Sequence, residues 1–509
     1  MKNLFLLTIL LSVALTGCSD DKEKQPQAVP ETEGTLSIAE VVESDHYDEL
    51  ANLPFPGNQP TQETADVLHN ELIFQRGVQS YLWALPAMNM YGMREGQRKA
   101  FGDDSNVLII TKNRPDSKML FSTANPDVIY AFAWLDLKKE GPMVLDMPPG
   151  LQGLLDDMWH RPITDIGAAG PDRNKGGKYL ILPPGYTGEV PEGYFTAESS
   201  TYGVFIFLRA FLADGETDQG VALLEKSRIY PLSKSENPPA MEFPNASGVA
   251  INGDFPRGFE YFERLADFIN YETISREDFS MRGLIAGLGI VKGQPFSPDA
   301  KTKTLLDKAG QVGFKMAATL SYDFRPAPKI YENRNWEQMF IGGSPVFEKD
   351  TYHNQDASVS FFHKAYSTSK AMVIAMPGKG SQYLLGSRDS DGDLLTGKNT
   401  YRIHMPANVP AANYWSIVLY DADTRVLMDN GQSFPSVASN QKVTYNEDGS
   451  ADIYLGPNEP ADKNANWIKT IPGRGYFSGI RLYSPTNAFF EQTWRPDNIV
   501  KTNMSGDKK

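Results

Sequence analysis

Short apolar runs, and the turn formers between them, limit the folds open to this chain more than any other feature. Between Val107 and Ala213 the runs "NVLIIT", "VIYAFAWLDL", "GPMVLDMP", "GKYLILPPGY" and "YGVFIFLRAFL" succeed one another, separated by Asn, Pro, Asp and Gly. Runs of this length bounded by turn residues predict β-strands, and several in regular succession predict a sandwich or barrel. The pattern returns over 356–500 in "SKAMVIAMP", "NTYRIHMP", "YWSIVLYDADT", "ADIYLGP" and "YFSGIRLYSP". The two β blocks are candidates for related folds.

Helical spacing fills the rest. "PTQETADVLHNELIFQRGVQSYLWALPAMNMYGMREGQRKAFG" has Pro60 and Thr61 near its start and apolar residues at Val67, Leu68, Leu72, Val78, Tyr81 and Leu82, with Pro86 expected to interrupt it. "DFPRGFEYFERLADFINYE" and "SPDAKTKTLLDKAGQVGFKMAATLSYDF" carry the same period, the second with a Ser-Pro-Asp start. The order helix, β, helix, β predicts an α+β chain with two β domains and helical segments before and between them. The expected divisions are an N-terminal domain over 38–213, a mainly helical connector over 214–355 and a C-terminal β domain over 356–509. At 41% hydrophobic residues the chain can build sizeable cores.

The first residues read as an address. "MKNLFLLTILLSVALTGCSD" has Lys2, an apolar run from Leu4 to Ala14 and small residues before a cysteine, the layout of a signal peptide over 1–17. "LTGC" resembles a bacterial lipobox, which makes Cys18 the expected lipidation site and the lipid anchor the expected tie to a membrane. Ser19 beside that cysteine favours the outer membrane over the inner one. Residues 18–37 are charged, Pro-bearing and poor in large apolar side chains, as a disordered tether would be. Cys18 is the one cysteine, so no intramolecular disulfide forms. A net charge of −14 and the lack of any basic cluster argue against nucleic acid as a partner.

A family resemblance runs through most of the chain after the tether. "STANPDVIYAFAWLDLKKEGPMVLDMPPGLQGLLDDMWHRPITDIGAAGPDRNKGGKYLILPPGY" resembles the domain of unknown function DUF 1254. "YWSIVLYD", "NEDGSADIYLGP", "NANWIKTIPGRGYF" and "IRLYSPTNAFFEQTWRPDNI" resemble its usual partner, DUF 1214, and "GLIAGLGIVKGQPFSPD" between them fits as well. The resemblance implies two jelly-roll-like β-sandwiches and supplies no function. The residues on its strongest motifs are Asn125, Asp127 and Tyr130 in the first half and Trp415, Tyr420, Asp421, Asn466, Trp467, Arg481 and Tyr483 in the second.

Chemistry is thinly advertised. Asp389, Asp391 and Asp393 alternate in "SRDSDGDLLTG", a spacing that can converge oxygens on calcium, although Gly392 is misplaced and Thr400 stands where an EF-hand has Glu. An acidic turn is the competing reading. No histidine pair has metalloprotease spacing, and no nucleophile elbow, Walker loop or dinucleotide fingerprint is present. His160 in "DDMWHRPITD" sits among Asp156, Asp157 and Arg161, where an imidazole can act as base or ligand. In "YFSGIRLYSP", Phe477, Gly479, Arg481 and Tyr483 share one face of a strand and Tyr476, Ser478, Ile480 and Leu482 the other. The first face can stack on a sugar or hold an anion. Arg481 can equally pair with Asp421 inside the sandwich, and Trp467 beside Asn466 can be a turn packed by a large residue.

Three functions compete. The first is a lipid-anchored binding protein holding a polar small molecule or carbohydrate through Asn125, Tyr130, Trp415, Tyr420, Asp421, Asn466, Trp467, Arg481 and Tyr483. The second is a carboxylate- or metal-dependent hydrolase or lyase using Asp127, Asp157, His160 and Arg161; no cofactor is identified, and calcium at Asp389, Asp391 and Asp393 is a separate candidate tied to none of the readings. The third is an assembly protein whose β domains form a homo-oligomer.

Overall fold

The structure, a computed structural model, describes residues 46–212 and 215–502. The expected signal peptide over 1–17, Cys18 and the expected tether lie outside those residues. The chain divides at Leu53, and the segment before that division carries one short helix, His46–Ala51. Every other element belongs to the unit that starts at Pro54. Among the described residues no helix is long and apolar enough to cross a membrane.

Helix α1 (Gln62–Phe101) opens this unit, its first turn capped by the Thr61 hydroxyl, which accepts from the Thr64 amide at 3.2 Å. Pro86 does not interrupt it. A proline has no N–H for the carbonyl four residues back, and here that orphan, Leu82 O, accepts from the Gln355 side chain at 3.1 Å. Val67 and Leu72 are exposed, contrary to the helical-face reading, because after Thr64 no residue of α1 is buried until Gly77. From there α1 packs on α2 (Phe259–Tyr271), α3 (Ala300–Tyr322) and α4 (Gln355–Lys364). The approach to α3 is close enough that a β-carbon on Gly313 would stand 2.7 Å from the Tyr81 ring. Tyr81 in turn stacks on Tyr261 of α2 at 3.9 Å between ring centroids.

The strands are β1 (Ile109–Ile110), β2 (Met119–Leu120), β3 (Val128–Asp136), β4 (Met143–Met147), β5 (Gln152–Asp157), β6 (Pro162–Ile166), β7 (Gly177–Leu182), β8 (Phe195–Glu198), β9 (Gly203–Phe211), β10 (Arg228–Pro231), β11 (Ile251–Asn252) and β12 (Glu337–Gln338). The second half adds β13 (Ser381–Gly386), β14 (Tyr401–Met405), β15 (Ala411–Asp421), β16 (Ser436–Ala438), β17 (Ala451–Gly456), β18 (Asn466–Lys469), β19 (Tyr476–Pro485) and β20 (Val500–Lys501). "SKAMVIAMP" is not a strand. The Ser369 hydroxyl caps the Met372 amide at 3.3 Å and starts a short helix, Lys370–Val373, so a local cap overrides the apolar run. The first sandwich reaches past Ala213 to take in β10, which pairs with β4.

The two sandwiches are the same fold written twice. The first has a five-stranded sheet ordered β1-β3-β9-β5-β6 and a four-stranded sheet ordered β10-β4-β7-β8. The second has β12-β13-β19-β15-β16 and β20-β14-β17-β18, so that β3 to β10 correspond in order to β13 to β20. Even the exceptional parallel pair recurs, β7 with β8 and β17 with β18. A short parallel pair, β11 with β2, lies outside this scheme.

Both five-stranded sheets are buried on both faces, which is why their strands read as continuous apolar runs. On β3 and β9, Ile129, Ala131, Val204 and Ile206 face the sandwich core, while Tyr130, Phe132, Phe205 and Phe207 face the helices. On β15 and β19, Trp415, Ile417, Ile480 and Leu482 face inward, and Tyr414, Tyr420, Phe477 and Tyr483 face the same helical core. The shared helical layer therefore has a five-stranded sheet on each side, and each half contributes aromatic and polar side chains to it.

Candidate functional site

One row of residues is repeated where those two sheets meet the shared core. In the first sandwich Tyr130 on β3 lies opposite Arg209 on β9, which lies opposite Gln152 on β5. In the second, Tyr383 on β13 lies opposite Arg481 on β19, which lies opposite Ser416 on β15. The strand correspondence makes Tyr130 the equivalent of Tyr383 and Arg209 the equivalent of Arg481. The duplicated fold thus brings two tyrosine–arginine pairs into one cluster.

Loop residues complete it. Asn125 donates from its side chain to the hydroxyls of Tyr414 (3.2 Å) and Tyr483, and its amide donates to the Tyr130 hydroxyl at 3.2 Å. Tyr414 and Tyr483 stack at 4.2 Å. Arg481 Nη2 donates to Thr123 O at 2.6 Å and to the Tyr420 hydroxyl at 2.7 Å, and the Tyr420 hydroxyl donates to Ala124 O at 3.0 Å. Five of the sequence candidates, Asn125, Tyr130, Tyr420, Arg481 and Tyr483, therefore come together. Tyr366 joins them from the segment after α4, packed on Phe207 at 5.6 Å.

The cluster carries more donors than the protein uses. Among the described residues Arg209 makes no hydrogen bond and no ion pair; its guanidinium lies 5.3 Å from the Phe207 ring centroid and 6.0 Å from that of Tyr130. Arg209 is only partly buried, so it keeps accessible surface. The hydroxyls of Tyr366 and Tyr383, side chains 7% and 8% exposed, also lack partners among the described residues. Burial pushes the hydroxyl pKa values of Tyr130 and Tyr366 up and that of Tyr483 up to about 12, so all three stay protonated donors at neutral pH. Among the described residues neither arginine has a carboxylate within ion-pair distance. Such an array can hold an anionic group by charge-assisted hydrogen bonds.

The other candidates have structural employment. Trp415 points into the sandwich core, away from the cluster. Asp421 does not pair with Arg481: it binds Arg474 at 2.6 Å, because it stands at the end of β15 while Arg481 lies mid-strand on β19. Asn466 bridges Thr444 O (2.7 Å) and Asp452 O (3.0 Å), and Trp467 donates to Gly456 O at 3.0 Å, so both fasten the edge strand β18. The 464–485 stretch is thus a corner at its start and a wall of the cluster at Arg481 and Tyr483.

The enzyme candidates fall into two separate networks. Asp127 accepts from Arg114 at 2.9 Å and Gln441 at 2.7 Å, and burial pushes its carboxyl up. Asp157 accepts from the amides of Trp159 (2.7 Å) and Arg161 (2.9 Å) and from Arg161 Nε (2.9 Å). Asp157 and Asp421 occupy equivalent places, five residues from Arg209 and Arg481 along the central-strand ladders, and both close the turn that follows. His160 accepts from the Ser367 amide on Nδ1 (3.1 Å), which leaves the proton on Nε2 to donate to Asn89 Oδ1 (3.1 Å). Its ring stacks on Phe362 at 4.7 Å, and burial drives its pKa down to about 3. Both nitrogens are occupied, so His160 as placed has none to offer a substrate or metal.

The acidic turn is filled by a lysine. Asp389 Oδ1 accepts from the amides of Asp391 (3.0 Å) and Asp393 (3.1 Å), and Lys501 Nζ lies 3.1, 3.8 and 2.8 Å from Asp389, Asp391 and Asp393. The ammonium stands where a calcium ion would be expected. Among the described residues no group of three or more His, Cys, Asp or Glu is arranged to hold a metal.

Sequence reasoning missed Arg209, Tyr366, Tyr383 and Tyr414. A signal existed for Arg209: it is the one charged residue in the apolar run "YGVFIFLRAFL". A lone charge inside a doubly buried strand asks for a partner, and the described residues provide no hydrogen bond or ion pair to it.

Comparison with known proteins bears on the fold. No curated protein matches the chain. The crystal structure of the VPA0106 protein from Vibrio parahaemolyticus, 17% identical, covers 85% of this chain and 100% of its own with a TM-score of 0.50, a likeness of fold. A crystal structure of an uncharacterised protein from Burkholderia cenocepacia, 11% identical, covers 87% of this chain and 97% of its own with a TM-score of 0.40. Residues 105–231 match the family described as protein of unknown function DUF1254, and residues 380–487 match the one described as protein of unknown function DUF1214.

Proposed function

We propose that the protein is a lipid-anchored envelope protein that binds a small anionic molecule at the tyrosine–arginine cluster. The anchor rests on the lipobox-like "LTGC" at Leu15–Cys18 and the Ser19 that follows it. The binding reading rests on one observation above all, the partly buried Arg209 guanidinium with no acceptor among the described residues. Arginine stays charged at any working pH, and a guanidinium removed from bulk water without an acceptor is costly. A carboxylate, phosphate or acidic sugar would remove that cost and engage the hydroxyls of Tyr366 and Tyr383 as well.

A thermal-shift screen of the full-length protein against short carboxylates, inorganic phosphate, uronic acids and neutral sugars tests the binding. An anion at a hundred times its dissociation constant adds about 2.7 kcal/mol of stability, a visible rise in melting temperature. A rise with anions that is absent in Arg209→Gln supports the reading, and a response confined to neutral sugars overturns it. The anchor is tested separately: labelled palmitate should enter the wild type and not Cys18→Ser.

A further inference from the structure

The duplication says more about the ligand than its sign, if the anion reading above holds. Arg209 and Arg481 are equivalent residues of two copies of one fold, on two sheets that share one core. Both guanidinium charges act on the same three hydroxyls, those of Tyr130, Tyr366 and Tyr483. Asn125 joins the hydroxyls of Tyr130 and Tyr483, Arg209 lies 6.0 Å from the Tyr130 ring centroid and Arg481 5.4 Å from that of Tyr383, so the two cations flank one hydrogen-bonded cluster.

Neither cation is neutralised by the protein. No carboxylate stands within ion-pair distance of Arg209 or Arg481 among the described residues. Asp127 feels the charge of Arg481, but its nearer engagement is with Arg114 at 2.9 Å. Asp165 feels the charge of Arg209, yet its surroundings are Ser369, the Ala371 amide and Lys370. Arg481 spends Nη2 on Thr123 and Tyr420, which leaves Nε and Nη1 without protein acceptors. Arg209 leaves its whole donor fork free. Tyr130, Tyr366 and Tyr483 stay protonated, so two positive charges flank a cluster of neutral hydroxyls.

From this arrangement we infer that the ligand is a small molecule with two separate anionic ends, one for each guanidinium, as a short-chain dicarboxylate has. One anionic end would satisfy one arginine and leave the other buried cation uncompensated. A single-centre dianion such as phosphate carries the charge but cannot lie against both forks unless they converge on one point. The tyrosine rings stacked beside the cluster, Tyr414 on Tyr483 among them, suit a short apolar spacer between the two ends.

Titration calorimetry on the full-length protein in detergent distinguishes these cases. The probes are succinate, glutarate and adipate, the monoanions butyrate and hexanoate, and inorganic phosphate. The best dicarboxylate should bind roughly tenfold more tightly than the monoanion of equal length, the size of one charge-assisted contact. Arg209→Gln should erase that margin, since Arg209 makes no hydrogen bond the fold would lose. Arg481→Lys, which keeps the charge and loses the fork, should shrink it while the protein still folds. Equal affinity for mono- and dicarboxylates, phosphate binding as tightly as the best dicarboxylate, or a margin that survives Arg209→Gln would each overturn the two-ended ligand while leaving an anion site in place. If no probe binds and a neutral sugar does, the anion site itself falls.

Discussion

The two sandwiches share a strand order, a tyrosine–arginine row and the aspartate that closes the turn after β5 or β15, and they differ in what that turn pushes inward. In the first, Asp157 folds the chain so that His160 takes a left-handed conformation at φ 57° and enters the shared core. In the second, Asp421 does the same service and Arg425 sits at φ 62°. His160 is held neutral between Ser367 and Asn89. Arg425 is permanently charged and fully buried, with Asp254, Asp423 O and His363 O (2.9 Å) as its acceptors. The frame fixes the place of the inward side chain; its charge is free to differ provided the surroundings answer every donor and acceptor.

The largest test of this contrast is Arg425→Met. Removing one member of a buried charge network leaves Asp254 and two carbonyls without their donor, so a loss of about 4 kcal/mol in chemical denaturation is expected. A loss near zero would mean the second turn does not depend on its charge. Arg481→Met comes next. It deprives Thr123 O, across the two halves, and the Tyr420 hydroxyl, within the second, of one donor each, and should cost about 3 kcal/mol. A smaller loss than that of Arg209→Met would reverse the assignment of anchor and free arginine.

The first turn is tested by pH. His160 has a folded pKa depressed to about 3 against an ordinary 6.5, so the unfolded chain binds the extra proton between those values. Its contribution is complete above pH 6.5 and is lost as pH falls toward 3. Between pH 6.5 and 4.5 the wild type should lose about 2 kcal/mol more stability than His160→Asn. Asn is chosen because it tolerates the left-handed conformation. Equal losses in the two proteins would show that the first turn does not hold a neutral imidazole.

These particulars also show what a reader of the residues can and cannot see. The strands "VIYAFAWLDL" and "YWSIVLYDADT" were legible because sheets buried on both faces need unbroken apolar runs, and the faces of β19 followed from its alternation. The two β blocks read as related folds, but the equivalence of their residues is carried by register: nothing in "YGVFIFLRAFL" resembles "YFSGIRLYSP" until Arg209 and Arg481 are each set opposite a tyrosine. Asp157 and His160 stand out in the sequence as a charged cluster and Asp421 as a partner for Arg481, and burial gives them roles in turns instead. Pro86 suggested a break that Gln355, far along the chain, repairs. Lys501 fills the acidic turn from a distance in sequence that spacing rules do not reach.

The smallest expected effect separates the two halves most cleanly. Arg209→Met should change stability by less than about 0.5 kcal/mol, because no hydrogen bond is lost and the methionine can lie over Phe207 and Tyr130 as the arginine stem does. Its sign should be a gain, since a partly buried cation without an acceptor among the described residues is removed. The equivalent change at Arg481 is expected to cost several times more, although the two residues hold the same place in the same fold. If denaturation shows both substitutions costing about 3 kcal/mol, Arg209 has a structural partner and the free cation disappears from the argument. If Arg209→Met is silent while Arg481→Met is not, one copy of the row holds the halves together and the other stays open for a ligand. Duplication would then have let two identical positions divide between anchoring and binding.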